Sequence, residues 1–174
     1  MSMKKWHLAG ITFTIIAGTL DHFIYQWSSE SVFLAPFSAV NESTWEHLKL
    51  LAVPLLLFSF AEHFAYGKVF SNFLAVRTCC VLAGMASIIV MFYGCVALTG
   101  QHWLWADIGI FVLSVICAYG LSFVLLNYRS LSGMTWEIIA RVLLVLLVVS
   151  FIFFTKQPPH LFLFQDPVTG QYGM

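Results

Sequence analysis

Charge is what this sequence has least of. Only 9% of its 174 residues are Asp, Glu, Lys or Arg, while 60% are apolar and the mean hydropathy is +0.89. A soluble domain of this length carries about a quarter charged residues. So few charges cannot cover a water-facing surface, and lipid must be the solvent for most of the exterior. Eight basic residues against eight acidic ones leave no net charge, which removes nucleic acid as a partner. Cysteine is also sparse. Cys79, Cys80, Cys95 and Cys117 all fall inside apolar stretches and form no C-x-x-C pair, which argues against an extracytoplasmic disulfide framework. They read as small packing residues, with a redox or acylation role for the vicinal Cys79–Cys80 as the lesser alternative. No H-E-x-x-H or other strong metal spacing occurs, and no internal repeat exceeds the three-residue match of Thr44-Trp45-Glu46 to Thr135-Trp136-Glu137.

What is present is long apolar runs. A helix needs about 20 largely apolar residues to cross the hydrocarbon core, and five segments qualify: Trp6 to Trp27, Trp45 to Tyr66, Phe73 to Leu98, Trp103 to Asn127, and Thr135 to Phe154. Trp and Tyr mark several ends, as rings that favour the headgroup level do. Turn formers fill the breaks at Tyr66-Gly67-Lys68, Thr99-Gly100-Gln101 and Ser130-Leu131-Ser132-Gly133. Lys4-Lys5 followed by the uncharged run Leu8 to Leu20 also has the form of a signal peptide, but no clean small-x-small site precedes Asp21. The fold expected is therefore an all-α polytopic membrane bundle of five transmembrane helices, a single domain over residues 1–174.

Basic residues set the expected orientation. One side holds Lys4, Lys5, Lys68, Arg77, Arg129 and Arg141, and the other only Lys49 and Lys156. The excess places the N-terminus in the cytoplasm and the C-terminus outside, in a cell (inner) membrane. Acids show the reverse bias: Asp21, Glu30, Glu42, Glu46, Asp107 and Asp166 fall outside, with His22, His47, His102 and His160. Two non-spanning segments complete the map. Residues 28–43 enclose Val32-Phe33-Leu34-Ala35-Pro36-Phe37 and read as an interfacial or re-entrant stretch that Pro36 keeps from being one helix. After the last span, a stiff Pro158-Pro159, the apolar Leu161 to Phe164 and a turn at Asp166 to Gly170 read as a tail folded over the outer face.

Ionisable residues at membrane depth are costly and face a bundle interior or cavity. Asp21 stands about 22 Å along a core of about 30 Å from Trp6, so Asp21 and His22 lie below the outer surface. Asp107 is one turn inside Trp103, at similar depth. The second helix begins Asn41-Glu42-Ser43-Thr44-Trp45-Glu46-His47-Leu48-Lys49, where Ser43 and Glu46 form a capping box and Glu46 and Lys49 an i,i+3 pair. Carboxylates and imidazoles gathered at one level suit a divalent metal such as zinc, or a proton relay. The candidate metal ligands are His22, His47, His160 and Asp107, and the candidate catalytic groups are Glu46, Asp21 and Lys49. The structural alternatives are that Glu46 caps its helix and pairs with Lys49, and that Asp21 and His22 bond across helices. On the inner side, Glu62 is expected to pair with Arg77 or Arg141, and Glu137 with Arg141 one turn on. Pro54 should kink the second span and free a backbone carbonyl.

The Asn41–Lys49 block and the run Pro158-Pro159-His160-Leu161-Phe162-Leu163-Phe164-Gln165-Asp166-Pro167-Val168-Thr169-Gly170-Gln171-Tyr172-Gly173 together resemble an uncharacterised family of small bacterial membrane proteins. The resemblance covers the whole chain and implies a bacterial inner or cell membrane, with no activity to carry over. Five-helix tryptophan-rich sensory proteins share the length and span count, but their Trp- and Pro-rich patterns are missing. Three functions remain. The first is a metal-dependent hydrolase or transferase on a lipid or lipid-linked substrate. The others are a transporter or substrate-binding subunit with an outward-facing cavity, and a structural subunit in a homo-oligomer or with a membrane partner. The charge-free middles of the third to fifth spans argue against a self-sufficient transporter.

Overall fold

The computed structural model describes residues 2–101, 103–128 and 131–174. His102, Arg129 and Ser130 therefore lie outside the described residues. Five long helices form: α1 (Met3–Trp27), α2 (Thr44–Ala65), α3 (Phe73–Thr99), α4 (Leu104–Asn127) and α5 (Met134–Lys156). Each is long and apolar enough to cross a membrane. Their ends fall within a few residues of those the apolar runs imply. Short 3-10 turns occupy Gly67–Val69 and Phe162–Phe164. Large apolar side chains such as Leu57, Phe60, Val90, Leu113, Val145 and Leu146 are exposed along the helices, as a lipid-solvated exterior requires.

Helix α2 forms the centre of the bundle. Half of its apolar window is buried, against 22–28% for the other four. Helix α1 packs on α2 and α4, and α3 packs on α2, α4 and α5. The fully buried residues of α1 are all small or polar, His7, Gly10, Thr14, Gly18 and Asp21, with Ile11 and Ile15 packing beside them half-buried. Small residues at this spacing let helix backbones approach closely in lipid, where apolar burial alone gives no gain. The approach is tightest at Gly18, where a Cβ would collide with the Leu50 carbonyl oxygen and lie 2.8 Å from the Phe111 ring. Leu50 is four residues before Pro54, so its carbonyl is the one that Pro54, lacking an N–H, leaves without a helical donor. The freed carbonyl expected from Pro54 is thus covered by the backbone of α1.

We call the end of the bundle where α2 begins the upper end. There α1 stops in a turn with positive φ at Ser29 (55°) and Glu30 (59°), and residues 28–43 fold as successive turns. Val32, Phe33, Leu34 and Phe37 face out, while Ala35, Pro36, Ser38 and Ala39 are buried. Ser38 stitches this segment to α1: its hydroxyl accepts the Tyr25 N–H (3.1 Å) and donates to the Asp21 carbonyl (2.7 Å). The tail returns to the same end. Phe164 seats against Trp45 and Phe154, with ring centroids 4.9 and 5.3 Å away.

The lower end is closed by charge. Arg77 and Glu62 pair at 2.5 Å, both buried, and the Tyr66 hydroxyl donates to Glu62 at 2.8 Å. The Arg77 guanidinium also donates to Tyr66 (2.8 Å) and lies over the Phe73 and Tyr119 rings. Of the two partners weighed for Glu62, Arg77 is the one found. Arg141 pairs instead with Glu137 at 2.6 Å within α5, on an exposed face.

Candidate functional site

The upper end gathers two adjoining polar groups, one enclosed and one open. Ser43 caps α2, its hydroxyl accepting the Glu46 N–H at 3.4 Å. Only this half of the capping box forms. The Ser43 N–H goes to Asn41 Oδ1 (2.9 Å), and the Glu46 carboxylate turns inward to the Val40 N–H (3.1 Å) and to Lys49 (2.5 Å). Lys49 is fully buried and donates as well to Thr155 Oγ1 (2.6 Å) and to the carbonyls of Ala35 (2.9 Å) and Ser38 (3.2 Å). Thr155 also approaches the second Glu46 oxygen at 3.3 Å. One ammonium therefore ties α2, the 28–43 segment and α5 together. Its donors are all engaged and Glu46 is 2% exposed, so this pair is closed to any substrate.

The open group is built from His22 on α1, His47 on α2 and Glu42 just before α2. His22 Nε2 lies 3.6 Å from Glu42 Oε1, and His47 Nε2 lies 3.5 Å from Glu42 Oε2. The two imidazoles stack with centroids 5.3 Å apart. One ligand atom from each residue lies within 4.8 Å of the others. Each side chain is partly exposed, at 28%, 33% and 45% for His22, His47 and Glu42. A helix-backbone bond orients one ring: His47 Nδ1 donates to the Ser43 carbonyl at 2.9 Å. That leaves the Nε2 lone pair toward Glu42, the arrangement in which a second-shell carbonyl fixes a ligating histidine's tautomer. The two N···O separations exceed the 2.7–2.9 Å range of charge-assisted hydrogen bonds. They run to different oxygens of Glu42, and the three ligand atoms, all within 4.8 Å of one another, would draw together to the roughly 3.3 Å edges of a tetrahedron on taking up an ion.

The other expected site residues take different places. Asp21 is buried on the inward face of α1, and its Oδ2 has no hydrogen-bond partner among the described residues. Asp107 sits in the first turn of α4, its N–H bonded to the Trp103 carbonyl at 3.0 Å. His160 stacks flat on Tyr172 in the tail, centroids 4.5 Å apart. Neither Asp107 nor His160 joins the group of three ligands found among the described residues. Glu42 was missed as a ligand because it precedes the helix cap, where periodicity says nothing about direction. The available signal was Glu42 five residues before His47, either side of the Ser43 cap. Thr155 was missed because an apolar run gives no reason to single out its one hydroxyl.

The tail lies against this group. Asp166, outside the spans, is buried, which alone would raise its pKa. Bonds from the Val168, Thr169 and Glu42 N–H groups outweigh burial and hold its carboxyl below the usual range.

The profile of the family of unknown function DUF6512 matches residues 1–174, and the chain belongs to that family. Comparison with curated proteins and with solved structures gave no match.

Proposed function

We propose that this DUF6512 member is a single transmembrane domain of a bacterial cell (inner) membrane whose His22, Glu42 and His47 hold a divalent ion such as zinc. The activity we assign to it is hydrolysis or transfer on a lipid or lipid-linked substrate. The observation that carries this reading is the convergence of two imidazoles on one carboxylate, with one ligand atom of each residue within 4.8 Å of the others. An ion there would supply Lewis acidity to a bound ester or phosphoryl group. The chain's own residues supply placement. His47 is held by Ser43, and the Glu46–Lys49–Thr155 network fixes the start of α2 that carries it. Asp21, which precedes His22 on α1 and has one oxygen unpartnered among the described residues, is the carboxyl we assign to general acid–base work. Apolar surface flanks the group: Phe23 stands edge-on to His22 and stacks on the exposed Trp27, which suits a substrate arriving from the bilayer.

Protein purified without chelators should contain close to one divalent ion per chain. His22→Ala with His47→Ala should lower that content sharply. A metal-free protein that takes up none on addition would remove the reading.

The upper end is assigned to the outside. The burial of Lys49 and Arg77 in ion pairs takes both out of the count of loop charges, yet exposed Lys4, Lys5, Lys68 and Arg141 still outnumber Lys156. Cysteines placed at Ser29 and Gly170 should react with an impermeant reagent in intact cells, and one at Ser132 should not. Labelling at Ser132 alone would invert the topology.

A further inference from the structure

We propose that the C-terminal tail, residues 157–174, is the clamp of the metal group: it positions Glu42 over the two imidazoles, so that tail docking and ion binding strengthen one another. The inference rests on the metal reading above. The two histidines are carried by helices, but Glu42 lies at the end of the irregular 28–43 segment, just before the Ser43 cap of α2. Three backbone donors around Glu42 go to side chains. The Val40 N–H goes to Glu46, the Ser43 N–H to Asn41 Oδ1, and the Glu42 N–H reaches Asp166 Oδ2 at 3.5 Å. On the other side of the same Asn41 amide, Nδ2 donates to the Gly173 carbonyl at 2.8 Å. The residues on both sides of the Glu42 Cα are thus tied through two side chains to the tail.

The tail is built to present those two contacts. Asp166 Oδ1 accepts the Val168 (2.7 Å) and Thr169 (3.2 Å) N–H groups, which leaves Oδ2 to face Glu42. The Asp166 N–H bonds to the Gln171 carbonyl and the Gly170 N–H to the Asp166 carbonyl, closing a loop over residues 166–171. Gly170 adopts φ 72°, where a side chain would be strained. Gly173 shares that conformation, and a Cβ there would lie 3.0 Å from Pro158. Phe164, socketed against Trp45 and Phe154, sets the distance from which the loop reaches back. Outer-shell partners of this kind typically alter metal affinity about 10–100-fold. Because coupling is reciprocal, an ion that gains from a docked tail must hold the tail down by the same factor.

The experiment uses the full chain in detergent with zinc ions as the probe, measuring zinc affinity and amide hydrogen exchange over residues 166–173. Two variants cut the clamp selectively. Asp166→Asn keeps an Oδ1 acceptor for Val168 and Thr169 but puts an NH2 group, which cannot accept, opposite the Glu42 N–H. Asn41→Asp keeps the acceptor for Ser43 but removes the donor to Gly173. In the wild type, zinc should slow exchange across the tail. Each variant should weaken zinc binding about tenfold. Glu42→Ala should abolish the effect of zinc on the tail, which a tail with a merely structural role would not require. Zinc bound with unchanged affinity in both variants, and with tail exchange indifferent to zinc, would overturn the clamp and leave the metal reading standing. A wild type that binds no zinc would overturn both.

Discussion

Lys49→Met is expected to destabilise the bundle by about 3–5 kcal/mol, because it leaves the Glu46 carboxylate buried without its counter-charge. The change also strips the Ala35 and Ser38 carbonyls and the Thr155 hydroxyl of their donor, so the 28–43 segment and α5 both lose their tie to α2. In lipid the loss cannot be made good by water reaching the site. Methionine fits the space of the lysine stem, so the cost reflects charge rather than cavity. The double variant Lys49→Met with Glu46→Leu should recover most of the loss, since apolar replacement of a buried ion pair is often neutral or better. Thermal unfolding in detergent reads both. A single variant within about 1 kcal/mol of wild type, the range of an exposed pair, would mean that the pair is solvated. Glu46→Gln belongs to the same test. Judged as a cap, it should unfold at a near-normal temperature, but a carboxylate 2% exposed on a buried ammonium cannot be neutralised so cheaply.

The second large effect is at the lower end. Arg77→Met should also cost about 3–5 kcal/mol, leaving Glu62 charged and fully buried. The guanidinium lies 5.3 and 5.1 Å from the Phe73 and Tyr119 rings and bonds the Tyr66 hydroxyl, so its removal loosens α2, α3 and α4 together. Arg141→Met is the matched control: its side chain is 63% exposed, and loss of its pair with Glu137 should cost at most about 1 kcal/mol. Equal effects at the two arginines would contradict the burial assigned to Arg77.

Apolar run length was enough to place all five helices, because a crossing segment must satisfy its backbone internally and declares itself by composition. Local pairs such as Glu46–Lys49 and Glu137–Arg141 were legible for the same reason, since helical spacing puts their side chains on one face. Depth was not. Nothing in the spacing of Glu46 and Lys49 distinguishes a surface pair from one closed over by Ala35, Ser38 and Thr155. The meeting of Gly18 with the carbonyl left by Pro54 needed both helices in place, although each half was visible alone. Within the candidate site, His22 and His47 followed from their common level, whereas Glu42 depended on the path of an irregular link. His160 shared the level but stacks on Tyr172, because tail direction is set by Phe164 and two positive-φ glycines rather than by a helical period.

The metal site is tested most directly by X-ray absorption at the metal edge of the zinc-loaded 174-residue chain. A site of His22, Glu42 and His47 gives imidazole nitrogen and carboxylate oxygen at about 2.0–2.1 Å from the ion, with two histidines contributing. The imidazole scattering should halve in either single variant, His22→Ala or His47→Ala, and vanish in the double variant, and Glu42→Gln should change the oxygen part alone. A shell of oxygen only, a sulfur ligand, or imidazole scattering that survives removal of both histidines would contradict that site.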